Sequence, residues 1–484
     1  MLAALTMLCQ TSFAAPQAIS SAGLRADVAL LRTAFENLHP GLYRYNSKQK
    51  MDEQFGELNR RFDSDQTLPE AFLAFTAFTA SIRCGHTYPN FVNQKKEVSA
   101  ALFEGQTQMP FHFRWIDNRM VVTEDFTPEK QLPRGSEILS INGNPTRKIL
   151  DRLMPLARAD GSNDGKRRAY FELIGEGRYE AFHIYFPLLF PFTGPALKLE
   201  AKRPSDRKPT LFTVQALTSA QRQAAQAPNV AEPFEWKYLP NGNAYLRMRT
   251  WALYNSKWDW KTWLNARLDE FADRNAPALV VDLRGNEGGQ DIGNEILKRI
   301  VSKDLRVASY IRLVRYRQIE APLNPHLDTW DNSFRNWGAS AEELRVPWPT
   351  APQSRYFRLN KYDDDESGWE LIHPEGKHFQ GKLFVLIDAA NSSATFQFAQ
   401  TVQQNKLGTL IGRTTGGNQR GINGGAFFFL RLPNSGIEID LPLIGSFPKT
   451  PQPDAGIVPD VAVKLSVGDI AAGVDPDLAA IPAR

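Results

Sequence analysis

Residues 381–417 read GKLFVLIDAANSSATFQFAQTVQQNKLGTLIGRTTGG. Residues 383–387 are an uninterrupted apolar run with the length and β-branched content of a buried strand. A turn of small residues follows, Ala389-Ala390-Asn391-Ser392-Ser393. Phe398 and Val402 then recur at helical spacing as far as Asn405. A second short run, residues 409–411, leads into the glycine-rich turn 414–417. The pattern is strand, tight turn, helix, strand, which is an α/β unit. Ser393 stands where the first strand hands over to the helix. A hydroxyl there faces the crevice at the strand's carboxyl end, where α/β sheets place their ligands. It also lies beside unpaired N–H groups of the helix start, which favour negative charge.

Upstream, residues 278–283 form a second buried run ending in Gly285-Asn286-Glu287-Gly288-Gly289, with a helix expected over 291–300. Consecutive glycines let backbone N–H groups point into a crevice unobstructed, which suits an oxyanion hole. Neither a Lys-Ser/Thr pair nor a full dinucleotide fingerprint accompanies them, so phosphate binding is not supported. The third piece is His86, in Cys84-Gly85-His86-Thr87. A serine nucleophile needs a base, and His86 stands at an element boundary where positioned bases often sit. Taken singly each piece has a plainer reading: Ser393 as a helix N-cap, the glycines as an ordinary strand-to-helix turn, His86 as a structural histidine. Cys84 is the other conceivable nucleophile, but two residues from His86 it is poorly placed for in-line geometry. No His-x-x-x-His or Cys-x-x-Cys spacing is present, so neither a metal nor a cofactor is expected.

Around these pieces the chain changes character. Leu24, Val28, Leu31, Phe35 and Leu38 share one helical face. Ser47 caps a second helix through Met51, Phe55, Leu58 and Phe62. Thr67 and Pro69 open a third through Phe72, Phe75 and Phe78, which delivers His86 at its end. Phe111, Phe113 and Trp115 then alternate toward an Asp117-Asn118 turn, and Thr146 caps a later helix. Between them, Gly135-Ser136-Glu137-Ile138-Leu139-Ser140-Ile141-Asn142-Gly143 resembles a stretch common in PDZ domains, which bind extended peptide ends at a sheet edge. Residues 195–250 are β-rich, with a hairpin at Asn241-Gly242-Asn243, and a tryptophan-bearing helix follows over 258–271. Residues 303–380, rich in Pro, Trp, Arg and Asp with weak periodicity, read as an insertion walling or gating the site. Residues 456–461 read as a last strand.

At 484 residues the chain suggests about two to four domains. Its hydrophobic (42%) and charged (23%) fractions are those of an ordinary globular protein, and its net charge of +4 argues against nucleic acid as main partner. Residues 1–15, apolar then small, read as a secretory signal too short to span a bilayer. Its removal takes Cys9 away and leaves Cys84 alone, so no internal disulfide is expected. Export to the periplasm or exterior of a bacterial cell, with no integral membrane segment after processing, is the expectation.

Taken together the pieces resemble the C-terminal-processing peptidases, or tail-specific proteases, and the related tricorn-core proteases. The matching motifs are Val281-Asp282-Leu283-Arg284-Gly285-Asn286-x-Gly288-Gly289, Ser393-Ala394, Gly412-x-x-Thr415-x-Gly417 and Gly456-Ile457-x-Pro459-Asp460, in that order. The resemblance implies an α/β fold with an N-terminal helical domain (16–95), a PDZ-like β domain (96–165) and a crotonase-like, ClpP-like peptidase core (166–484). It implies a peptide or protein substrate and a serine-type endopeptidase mechanism. In the Ser–Lys branch a lysine follows the Thr-x-Gly turn, but here the position is Asn418. In the tricorn-like branch the base is a histidine in a Gly-His pair, matched by Gly85-His86, with Cys84 where an Asp is common. The roles carried over are Ser393 as nucleophile, His86 as general base, and the N–H groups of Gly288 or Gly289 and Ala394 as oxyanion hole. Asp454 and Glu438 are the candidates for the acid that orients His86. Phe396 and Gln397 replace the acidic pair often found after the nucleophile. That departure keeps a rival open, a weakly active or inactive module of the same fold binding peptides or apolar ligands. An esterase using the same residues is a third reading.

Overall fold

The computed structural model describes residues 18–104, 108–175, 179–192, 194–225, 233–307, 310–344, 355–359 and 371–482. The leader-like residues 1–15 lie outside the described residues. The helices Ser21–Leu38, Lys48–Arg61 and Leu68–Ser81 begin where cap chemistry starts them, at Ser20, Ser47 and a Thr67–Glu70 capping box. Their apolar faces meet in one core through Leu24, Phe35, Phe55, Phe72 and Phe75.

An antiparallel sheet follows in the order 111–116, 119–125, 137–141, 196–202, 210–215, with the two-residue strand Asn144–Pro145 beside 137–141. The PDZ-like stretch is thus only the first part of a sheet that continues to Gln215. The helices Thr146–Leu153, Asp164–Ala169 and Ala181–Leu189 come between its third and fourth long strands.

The second half is built on a sheet ordered 461–462, 409–412, 382–387, 278–282, 244–248, 234–238. Pairing is parallel except at the edge hairpin 234–248. Strand Lys382–Ile387 is central and alternates between two cores. Leu383, Val385 and Ile387 pack with the helices Trp260–Arg274, Gly293–Ile300 and Ala394–Gln404, while Phe384 and Leu386 face Tyr245, Leu478 and Ile481. That is why the run reads as continuously apolar.

The stretch 303–380 is tied to the rest of the chain by strand pairing. Its strands Tyr310–Val314, Leu327–Asp328, Ala341–Leu344 and Tyr356–Leu359 join the hairpin of Asn423–Arg431 and Glu438–Pro448 in one antiparallel sheet. The hairpin's Ala426, Phe428, Leu430 and Leu441 pack into the core of the N-terminal helices. Asp27 on the first helix receives N–H groups from Asn434 and Ser435 at the hairpin's turn. No helix among the described residues is long and apolar enough to cross a membrane.

Candidate active site

The two glycine-bearing turns at the carboxyl ends of adjacent strands are sewn together by side chains. Asn391 Nδ2 donates to the carbonyls of Leu283 (2.6 Å) and Asn286 (3.0 Å). Ser392 Oγ donates to the Glu287 carbonyl at 3.2 Å, and Thr395 Oγ1 bonds the Asn286 carbonyl at 2.9 Å. Ser393 sits among these anchored neighbours with φ +53° and ψ −128°. That conformation is strained for a residue with a Cβ. Its side chain makes no cap hydrogen bond to the helix it precedes. The N-cap role that most serines take at such a turn is not the one it plays.

Gly288 (φ +98°) lies against this turn. A Cβ on it would stand 2.9 Å from Ser393 Cβ, 2.9 Å from Ala394 N and 2.7 Å from the Ser392 carbonyl. Its N–H donates to the buried Asn286 Oδ1 at 2.9 Å. Gly289 (φ +140°) packs against the Trp251 backbone, where a Cβ would meet Trp251 C at 2.2 Å. Ala394 opens the helix, so its N–H has no intrahelical acceptor.

His86 arrives from the N-terminal helices. The third helix ends at Ile82, Arg83 turns the chain with φ +63°, and the loop is then pinned from several sides. Gly85 N–H donates to Asp160 Oδ1 at 2.9 Å, and Arg158 Nη1 donates to the Gly85 carbonyl at 2.9 Å. Thr87 Oγ1 meets His39 Nε2 at 2.8 Å, while His39 Nδ1 accepts from Gly41 N–H, so His39 is a neutral donor toward Thr87. Burial, reinforced by Arg44 and Arg315, pushes the His39 pKa down to about 3. His86 Nδ1 is buried with no hydrogen-bond partner among the described residues. Burial lowers the His86 pKa, and Asp160 is the largest of the charges opposing that shift. Cys84 is 1% exposed, accepts from Asn423 Nδ2 at 3.2 Å and has its thiol pKa pushed up by burial. It is an inert thiol.

One carboxylate joins all three pieces. Glu287, between the glycines of the 285–289 turn, takes Arg158 Nη2 at 2.6 Å on one oxygen and Lys166 Nζ on the other. Arg158 holds the carbonyl before His86, and Lys166 Nζ also donates to the Ala390 carbonyl at 2.9 Å, three residues before Ser393. Burial alone would raise the Glu287 pKa, but the two cations hold it well below the carboxylate range; burial draws Lys166 down. Arg158 also stacks over Tyr88 (4.5 Å) and Tyr170 (5.1 Å). Tyr88, Arg158, Lys166, Glu287, Gly288 and Ala390 all border one open cleft of about 1290 Å³ between the first antiparallel sheet and the parallel sheet.

Neither of the two acids offered for His86 is hydrogen-bonded to its Nδ1. Asp454 accepts from Ser162 N–H and Oγ (2.9 Å each) and from Asn418 Nδ2 (2.7 Å). Asn418 is therefore paired with Asp454 at the position where a lysine stands in the Ser–Lys branch. Glu438 bonds Arg431 Nη2 at 2.9 Å, at the opposite end of the hairpin from Gly424, whose added Cβ would lie 3.9 Å from His86 Cε1. The acid beside the His86 loop is Asp160, which no motif singled out. Among the described residues no group of three or more His, Cys, Asp or Glu is placed to hold a metal ion.

The strained serine thus lies beside a glycine turn at the carboxyl edge of a parallel sheet. Residues 242–463 match the model of Peptidase family S41. Over that stretch the sequence is similar to the peptidases of that family. No curated protein matches the chain by sequence. Among solved structures, mature CPAF bound to lactacystin superposes with a TM-score of 0.60 at 13% identity, over 93% of this chain and 95% of that one. Mature CPAF alone gives 0.58 at 13% identity, over 93% and 94%. The photosystem II D1 C-terminal processing protease gives 0.43 at 12% identity, over 91% and 93%. The likeness to CPAF is one of fold, and it runs nearly the full length of both chains.

Proposed function

We propose that the protein is an exported serine endopeptidase in which Ser393 attacks the scissile carbonyl and His86 takes its proton. Attack forms a tetrahedral oxyanion, which the N–H groups of Ala394 and Gly289 receive; the Gly288 N–H is engaged by Asn286. Collapse expels the amine, protonated by His86, and leaves an acyl-enzyme on Ser393. Water activated by His86 then releases the acid. Asp160 is the acid we assign to His86, acting by its charge and through its hold on Gly85; Asp454 secures Asn418 and the 160–163 loop. Base catalysis is worth about 10²–10⁴-fold and each oxyanion donor about 10²–10³-fold.

The observation that carries this reading is Ser393 itself: a positive-φ residue whose hydroxyl caps nothing while its neighbours are tied down. Strain of this kind is stored where function requires it. The test is Ser393→Ala, expected to lower peptide hydrolysis by at least about 10³-fold with the fold retained. Undiminished hydrolysis refutes the assignment. The unpartnered His86 Nδ1 supports one second reading, a peptide-binding module without turnover. Stoichiometric labelling of Ser393 by a fluorophosphonate rules that out.

A further inference from the structure

An aromatic strip leads away from His86. The strand Asn423–Arg431 starts beside that ring at Gly424 and buries Ala426, Phe428 and Leu430 in the core. The alternate residues, Phe427 and Phe429, therefore project from the other face. The Phe427 ring lies 5.9 Å from the His86 ring. Trp330 covers both phenylalanines, at 5.8 Å from Phe427 and 5.7 Å from Phe429, and its far side rests edge-on against Phe334 at 5.6 Å.

Trp330 is nonetheless 61% exposed, the only exposed tryptophan among the described residues. Its position is held by polar contacts of its neighbours. Thr329 Oγ1 donates to the Phe427 carbonyl at 3.0 Å, and Leu327–Asp328 pairs with Phe429 and Leu430. A large aromatic surface kept open to solvent on a braced loop marks a contact site. Its continuity with the ring of the proposed base says which molecule reaches it: the chain being cut.

The geometry points to a specificity subsite in which Trp330, Phe427 and Phe429 receive a bulky apolar side chain of the peptide substrate on the His86 side of the scissile bond. The inference rests on the peptidase reading above and adds the substrate's chemistry to it. Aromatic faces grip a phenylalanine or leucine side chain and give nothing back to alanine. Gly424, whose added Cβ would lie 3.9 Å from His86 Cε1, puts no side chain against that ring.

The test uses the full chain with two fluorescent peptides that differ only by Phe against Ala at one position, scanned across the cleaved region. Binding is measured in the Ser393→Ala background and cleavage in the wild type. One position is expected to favour Phe by about 10-fold or more in both measurements. Trp330→Ala is expected to bring that ratio to within about 2-fold of unity, with little change for the Ala peptide. No Phe preference at any position, or one that survives Trp330→Ala, overturns the subsite. A wild type that binds the Phe peptide through Trp330 without cutting it refutes the peptidase reading and leaves the subsite standing. Cleavage whose preference ignores Trp330 does the reverse.

Discussion

Gly288→Ala probes the contact between the two turns. The added Cβ meets the Ser392 carbonyl at 2.7 Å and Ser393 Cβ and Ala394 N at 2.9 Å. Ordinary carbon contacts need about 3.5 Å, so the nucleophile turn must retreat by roughly 0.5–1 Å. A shift of that size at a reacting group is worth about 10² in rate, or ~2.7 kcal/mol of barrier. A left-handed φ of +98° adds strain of about 1–3 kcal/mol to the folded state. Gly143→Ala is the matched control. Its φ is +78°, but nothing lies within 4 Å of the new Cβ, so it carries strain without the collision. Both variants are expected to lose thermal stability by calorimetry. Only Gly288→Ala is expected to lose kcat/KM and the rate of fluorophosphonate labelling, each by about 10²-fold. Retention of activity within threefold of wild type, or an equal loss in the Gly143 variant, refutes the close juxtaposition of the two turns as the basis of the site.

Glu287→Gln removes the charge shared by Arg158 and Lys166. Because Glu287 is partly exposed at the cleft, the expected loss is about 1–2 kcal/mol, below that of a fully buried pair. Its folded pKa is depressed, so the stabilisation is complete above the ordinary carboxylate range and disappears as acidification protonates it. Melting curves of the two proteins should therefore differ by a constant amount near neutrality and converge only in strong acid. The accompanying fall in kcat, with KM little changed, separates positioning from substrate binding. In Asp160→Asn the charge that raises the His86 pKa is gone. Burial lowers the His86 pKa, so the acid limb of kcat/KM is expected below the usual imidazole pH of about 6.5 in the wild type and lower still in the variant. A limb that moves upward contradicts the role given to Asp160.

Much of this arrangement could be read from local pattern. Residues 383–387 alternate between two cores, so they had to be continuously apolar, and the caps at Ser47 and Thr67 start helices by local hydrogen bonding alone. The serine and glycine turns stood out because each follows such a strand. What local pattern cannot carry is contact across the chain. Asp160 touches the His86 loop from 75 residues away, and Asp454 meets Ser162 from 292. Neither has a neighbour that marks it. The strands within 303–380 are short, and their partners in the hairpin lie more than a hundred residues downstream, so hydrophobic spacing gave no sign that they extend the 423–448 hairpin. The positive φ of Ser393, the feature that sets it apart from a cap, is a property of the anchored turn and not of the residue type.

The Arg158–Glu287–Lys166 clasp also bears on when the chain becomes competent. His86, the two cations, the 285–289 turn and Ser393 enter in that order during synthesis, and the Glu287 carboxylate lies between the base and the nucleophile of the proposed mechanism in sequence. A ribosome-bound chain that has folded only its helices and first sheet holds a histidine with no serine to activate. A core that has come loose from the N-terminal half holds a serine with no base. On the mechanism proposed above, self-digestion during biogenesis is thus disfavoured by topology.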